Sequence, residues 1–118
     1  MELAVVFVDE EYGLMCRKFT GILKEDDYVE FDDYIFGWYG MHRSTLGTLT
    51  EDKVFCCDTP LSISKARAVL VDNYSDKILD LKEELDYYSK LKDKIAKQEV
   101  MFVWRFLIFL KKKNQKIN

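Results

Sequence analysis

No glycine or proline occurs after Pro60. All five glycines fall between positions 13 and 47, and the single proline closes the region they punctuate. Gly and Pro are the residues that most often mark turns. The chain therefore has a first half that must turn repeatedly and a second half free to run as one long helix.

The first half reads as short strands. LAVVFV (3–8) is β-branched and apolar, the composition of a strand. Asp9–Gly13 is a turn, with Gly13 able to take positive φ. A second strand runs from Leu14 to about Leu23, with Gly21 as a bulge that bends it. Glu25-Asp26-Asp27 turns next. Val29 and Phe31 alternate with Tyr28 and Glu30 as a half-buried strand. Asp32-Asp33 interrupts it before a further stretch, Tyr34 to Tyr39. Gly40 to His42 turns, Arg43 to Leu49 is a strand bent at Gly47, Thr50 to Lys53 turns, and Val54 to Cys57 is the last strand. About five short strands in this space predict an antiparallel β-meander or a small SH3-like barrel.

Asp58-Thr59-Pro60 marks the change of regime. Thr59 or Ser62 can cap a helix, and Pro60 suits its first turn. Ala66, Val69 and Leu70 share one face. Asn73–Ser75 is the weakest stretch, where a kink or a fresh start capped by Ser75 is expected. Beyond it Tyr74, Ile78, Leu81, Leu85, Tyr88 and Ile95 recur at the three- and four-residue spacing of a heptad seam, with Lys92 at the vacant position. Asp86 precedes Lys90, and Asp93 precedes Lys97, by four residues, a weak helix support. The expected fold is a single α+β domain: a β-module over 1–58 and a helical region over 59–118. Val100–Leu110 (VMFVWRFLIFL) is apolar except for Arg105. It suits either a continued helix, the preferred reading, or a sixth strand, and it is too short for a bilayer span.

Charge follows the same division. Residues 1–60 carry 13 acidic and 5 basic side chains, residues 61–118 carry 8 and 13, and the whole chain is −3. Two surfaces with different partners, or halves that attract their opposites in a second copy, are consistent with that asymmetry. The three cysteines are Cys16, Cys56 and Cys57, an odd number with two adjacent. The opening MELAVVFVDEEYG lacks the basic start and long apolar run of a secretory signal. A reducing, cytoplasmic setting is expected.

The densest polar feature is EDDYVEFDD (25–33), six carboxylates in nine positions. It lacks the spacing of a calcium loop. It fits a patch that steers onto a basic partner, or a solvated turn whose charge guards an edge strand. The residues assigned to partner binding are Asp26, Asp27, Glu30, Asp32, Asp33 and Tyr39. Tyr34, Phe36 and Trp38 would share the opposite, core-packing face of their strand. The seam residues Ile78, Leu81, Leu85, Tyr88 and Ile95 are assigned to an oligomer interface, their own sheet being the alternative cover.

Adjacent cysteines on a strand point to opposite faces, so convergence of the three cysteines with His42, the only histidine, on a metal is not expected. There is no glycine-rich phosphate loop or nucleophile elbow. No catalytic residue, metal or cofactor is assigned. The expectation is a non-enzymatic interaction protein, an adaptor or inhibitor of the sort that phages and mobile elements carry. Its acidic β-turn region would engage a protein with a basic surface, and its helix would form a homo-oligomer. Two alternatives remain: a nucleic-acid-binding barrel using Lys111, Lys112, Lys113 and Lys116, or a membrane-surface accessory protein using Val100 to Lys113.

Overall fold

The computed structural model describes residues 1–100. Six strands precede one helix: β1 (Glu2–Asp9), β2 (Gly13–Leu23), β3 (Tyr28–Ile35), β4 (Trp38–His42), β5 (Leu49–Thr50), β6 (Lys53–Cys57) and α1 (Pro60–Lys97). The strands form one antiparallel sheet in the order β4-β3-β2-β1-β6-β5. It curls into a half-barrel, and its two end strands, β4 and β5, are not paired with each other. The fold is α+β, with its strands at the N-terminal side. By contact the chain divides into two compact units, Met1–Leu79 and the residues from Asp80 onward.

β1 occupies the centre because its residues are apolar on both faces. Leu3 to Val6 are completely buried. Leu3 and Val5 point into the half-barrel, where they meet Phe19, Val29, Phe31, Ile35, Met41 and Phe55. Ala4 and Val6 point the other way, onto Val54, Cys56, Ala66 and Leu70. A run of apolar residues without alternation is thus a strand covered on both sides. Three phenylalanines fill the half-barrel: Phe31 stacks on Phe55 with centroids 5.4 Å apart, and Phe19 meets Phe31 edge-on at 4.9 Å. Full burial of such a ring contributes about 1.5–3 kcal/mol.

β2 serves two neighbours. Its residues 13–20 pair with β1, and Gly21 to Leu23 pair with β3. Gly21 sits at the handover, where a Cβ would lie 2.9 Å from Leu3 Cδ1 and 3.0 Å from the Glu30 carbonyl. The bend expected at this glycine is therefore a close approach of strands and core.

Two stretches depart from the sequence reading. Tyr34 to Tyr39 is not one strand: β3 ends at Ile35, and Phe36 (φ 49°) and Gly37 (φ 89°) form the turn into β4. Two successive positive φ values are the signature of a type I′ hairpin turn. Phe36 tolerates the position because its ring packs edge-on against Phe7 at 4.9 Å. Gly40 to His42, expected as a turn, completes β4 instead. Arg43 to Leu49 was expected as a strand, yet Arg43–Thr45 is a 3-10 turn and only Leu49–Thr50 enters the sheet. Local bonds win there: His42 Nδ1 accepts from the Ser44 N–H at 3.1 Å, and the Thr48 hydroxyl donates to the Thr45 carbonyl at 2.7 Å. Such side-chain bonds compete with a ladder.

Thr59 is the helix cap, its Oγ1 accepting from the Ser62 N–H at 3.1 Å. Ala66 and Leu70, one turn apart, are the buried residues of α1. The kink expected at 73–75 is absent: α1 runs unbroken from Pro60 to Lys97. Asn, Tyr and Ser cost only tenths of a kcal/mol each in a helix interior and all keep their N–H, so the ladder continues. α1 ends at Lys97, and whether 101–110 is helix or strand lies outside the described residues.

Candidate interaction surface

The six residues assigned to partner binding are strung from the β2–β3 turn along β3, with Tyr39 on β4. Asp26 and Asp27 form the β2–β3 turn, both in the left-handed region with φ 62° and 59°. Asp32 and Asp33 lie towards the far end of β3, and Glu30 stands between. The interruption expected at Asp32-Asp33 is a break in pairing. Glu30 faces Gly40 while Ile35 faces Trp38, so β3 spends four residues where β4 spends one. The aspartates turn to other partners. Asp32 Oδ2 accepts from the Thr20 hydroxyl at 2.7 Å, and Asp33 meets Arg17 at 3.1 Å. Asp27 lies 3.4 Å from Arg43, and Glu30 3.7 Å from Lys24. The sequence shows the carboxylates but not these partners: Arg17 and Arg43 lie 16 residues from Asp33 and Asp27 and arrive through strand pairing, while Lys24 stands just before the acidic stretch. The surface is therefore a mixed one with an acidic surplus.

The same irregularity exposes an aromatic pair. Tyr34 and Tyr39 are 53% and 70% exposed, with ring centroids 4.6 Å apart. Tyr39 is exposed, as expected. Tyr34, expected in the core, is not, because the extra residues of β3 rotate it outward. Trp38 does pack against the core, and Phe36 covers Phe7 while remaining partly exposed. Exposed tyrosines beside charged groups are the side chains protein interfaces favour.

On α1, the seam residues lie open. Ile78, Leu81, Leu85, Tyr88 and Ile95 are 53%, 63%, 67%, 57% and 68% exposed. Within the first unit, the sheet packs on the helix through Ala66 and Leu70. Asp86 and Lys90 form the expected pair at 2.9 Å. Within the first unit, an apolar groove of about 540 Å³ lies between Val8 and Leu14 on the sheet and Leu70, Val71, Tyr74 and Ile78 on the helix.

One charged side chain is buried that the sequence did not flag. The Lys53 ammonium lies 2.7 Å from Asp52 and 3.2 Å from Glu51, over the Phe36 ring. Burial works against its charge, but the two carboxylates outweigh burial and raise its pKa. The hydrogen bond from Lys53 lowers that of Asp52. The three cysteines form no disulfide. Cys56 is buried and Cys57 half-buried, and Cys16 is exposed on the helix-facing side of β2. Burial pushes the Cys56 thiol up to about 11, and raises Cys16 to a lesser degree. Such thiols are poor nucleophiles. His42 Nδ1 bonds to Ser44 Oγ at 2.7 Å. Among the described residues no group of three or more metal-ligating side chains comes together, and no helix is long and apolar enough to cross a membrane. Lys111 to Lys116, and nearly all of the tail on which the two alternative readings depend, lie outside the described residues. No protein-family model, curated protein or solved structure matches the chain, so the functional reading rests on its own residues.

Proposed function

We propose that this is a non-enzymatic interaction protein that self-associates through α1 and presents its β-module to a partner. The observation that carries the reading is the row of large apolar side chains, Ile78, Leu81, Leu85, Tyr88 and Ile95, each more than half exposed. Scattered exposed leucines are ordinary, but a heptad row of them is not. Covering it would take apolar surface out of water, which favours association.

The partner-facing surface is the Tyr34–Tyr39 pair with Asp33, extended along β3 through Asp32 and Glu30 to Asp27 and Asp26. Its acidic surplus favours a protein with a basic surface, with charge setting the encounter rate and the tyrosines supplying contact area. Adaptor or inhibitor is the role that fits. A reducing, cytoplasmic setting belongs to the reading, in keeping with three cysteines that form no disulfide.

The test is the solution mass of the full chain and of Leu81→Asp/Leu85→Asp. A wild-type oligomer that the variant reduces to a folded monomer supports the reading. A wild-type monomer refutes it.

A further inference from the structure

We propose that two copies of α1 pair in the antiparallel sense, with the groove beside Val71, Tyr74 and Ile78 taking the later turns of the second copy's helix. This rests on the reading that the seam is a contact between copies, and goes further in fixing its direction. In heptad terms Val71, Ile78, Leu85 and Lys92 occupy a, and Tyr74, Leu81, Tyr88 and Ile95 occupy d. A parallel, in-register pair stacks a on a, which sets the Lys92 of one copy against that of the other inside the seam. It also brings g against the following e, so Lys77 meets Lys82 across the pair. Like charges held together in a desolvated seam oppose that arrangement.

An antiparallel pair faces a with d. In every such register Lys92 then meets Tyr74, Leu81, Tyr88 or Ile95, never itself. Its methylenes lie on apolar surface while its ammonium reaches the edge, or sits over a tyrosine ring. The groove points the same way. Its helix wall carries a and d positions, and it is hollow by about 540 Å³ between Val8, Leu14 and α1. A parallel pair sets hollow against hollow. An antiparallel pair brings the large side chains of later turns, Tyr88 and Ile95, to fill it.

The experiment is light scattering combined with pulsed dipolar spectroscopy on Lys97→Cys, spin-labelled in a Cys16→Ser/Cys57→Ser background, the buried Cys56 remaining. In the antiparallel register that seats Tyr88 on Ile78 and Ile95 on Val71, Lys97 of one copy lies level with Val69 of the other, so at about 1.5 Å per residue the two labels are more than about 35 Å apart, while parallel pairing holds them near 20 Å. A dimer with the long distance is the expected result. A dimer with the short distance overturns the antiparallel pairing through the groove and leaves self-association standing. A monomer overturns both, and an assembly larger than two overturns the pairwise arrangement.

Discussion

Lys53 shows how one side chain's surroundings set a pH dependence. Asp52 is held below its ordinary value of 3.8, so its contribution to stability is present above that pH and is lost as pH falls through the lowered value. Lys53 is raised above 10.5, so its contribution is present below 10.5 and is lost as pH rises through the raised value. Lys53→Met keeps an apolar side chain of similar length and removes the ammonium that lies over Phe36, leaving Asp52 and Glu51 in water. Its cost at neutral pH should be under about 1 kcal/mol, since both carboxylates are mostly exposed. The gap between wild type and variant in urea midpoint should stay level between those limits and narrow outside them. A gap unchanged in acid would mean that the pair contributes nothing. Asp26 makes a second residue-scale case, holding φ 62° without a glycine. Asp26→Gly should stabilise by a few tenths to about 1 kcal/mol in the same measurement, by relieving the left-handed conformation. The cysteines give a third: Ellman's reagent at about pH 8 should leave Cys56 unlabelled until the chain unfolds.

At the scale of the element, what was legible depended on how far the deciding contact reached. β1, β2 and the Thr59–Pro60 helix start follow from residues within a few positions of one another and stand where the pattern puts them, and the turn expected over Thr50 to Lys53 narrows to Glu51–Asp52. The β3–β4 hairpin was not legible, because Phe36 is an unusual residue for a left-handed turn and is held by Phe7, 29 positions away. The acidic stretch was legible as composition only. Its pairing with Arg17, Lys24 and Arg43 depends on register, which one residue of slip would change. Gly40 tells the same story: read as a turn, it is a strand residue chosen for closeness. A Cβ there would overlap the Val29 carbonyl and the Tyr28 ring. Backbone cannot give way as a flexible side chain can, so Gly40→Ala should destabilise by about 1–3 kcal/mol or more in urea unfolding. A near-neutral result would show that β3 and β4 can separate locally, and would weaken the case for a fixed Tyr34–Tyr39 surface.

At the scale of the whole molecule, the two units draw on different sources of stability. Met1–Leu79 has two cores, one on each face of β1. Among the described residues from Asp80 onward, none is buried. A helix in that condition depends on intrinsic propensity and on local pairs such as Asp86–Lys90, which contribute only about 0.2–0.5 kcal/mol each. Tertiary packing normally supplies the larger share, and in the proposed pairing a second copy provides it. Helicity should then depend on concentration. Ellipticity at 222 nm, normalised per residue, should grow more negative as the chain is raised from about 1 µM to about 100 µM, and the thermal midpoint should rise with it by mass action. Leu81→Asp/Leu85→Asp should be flat over the same range and match dilute wild type. The β-module should report none of this, since its cores close within one chain. If wild-type helicity is full and constant at every concentration, the helix from Asp80 onward stands without a partner, and its apolar row awaits a different protein.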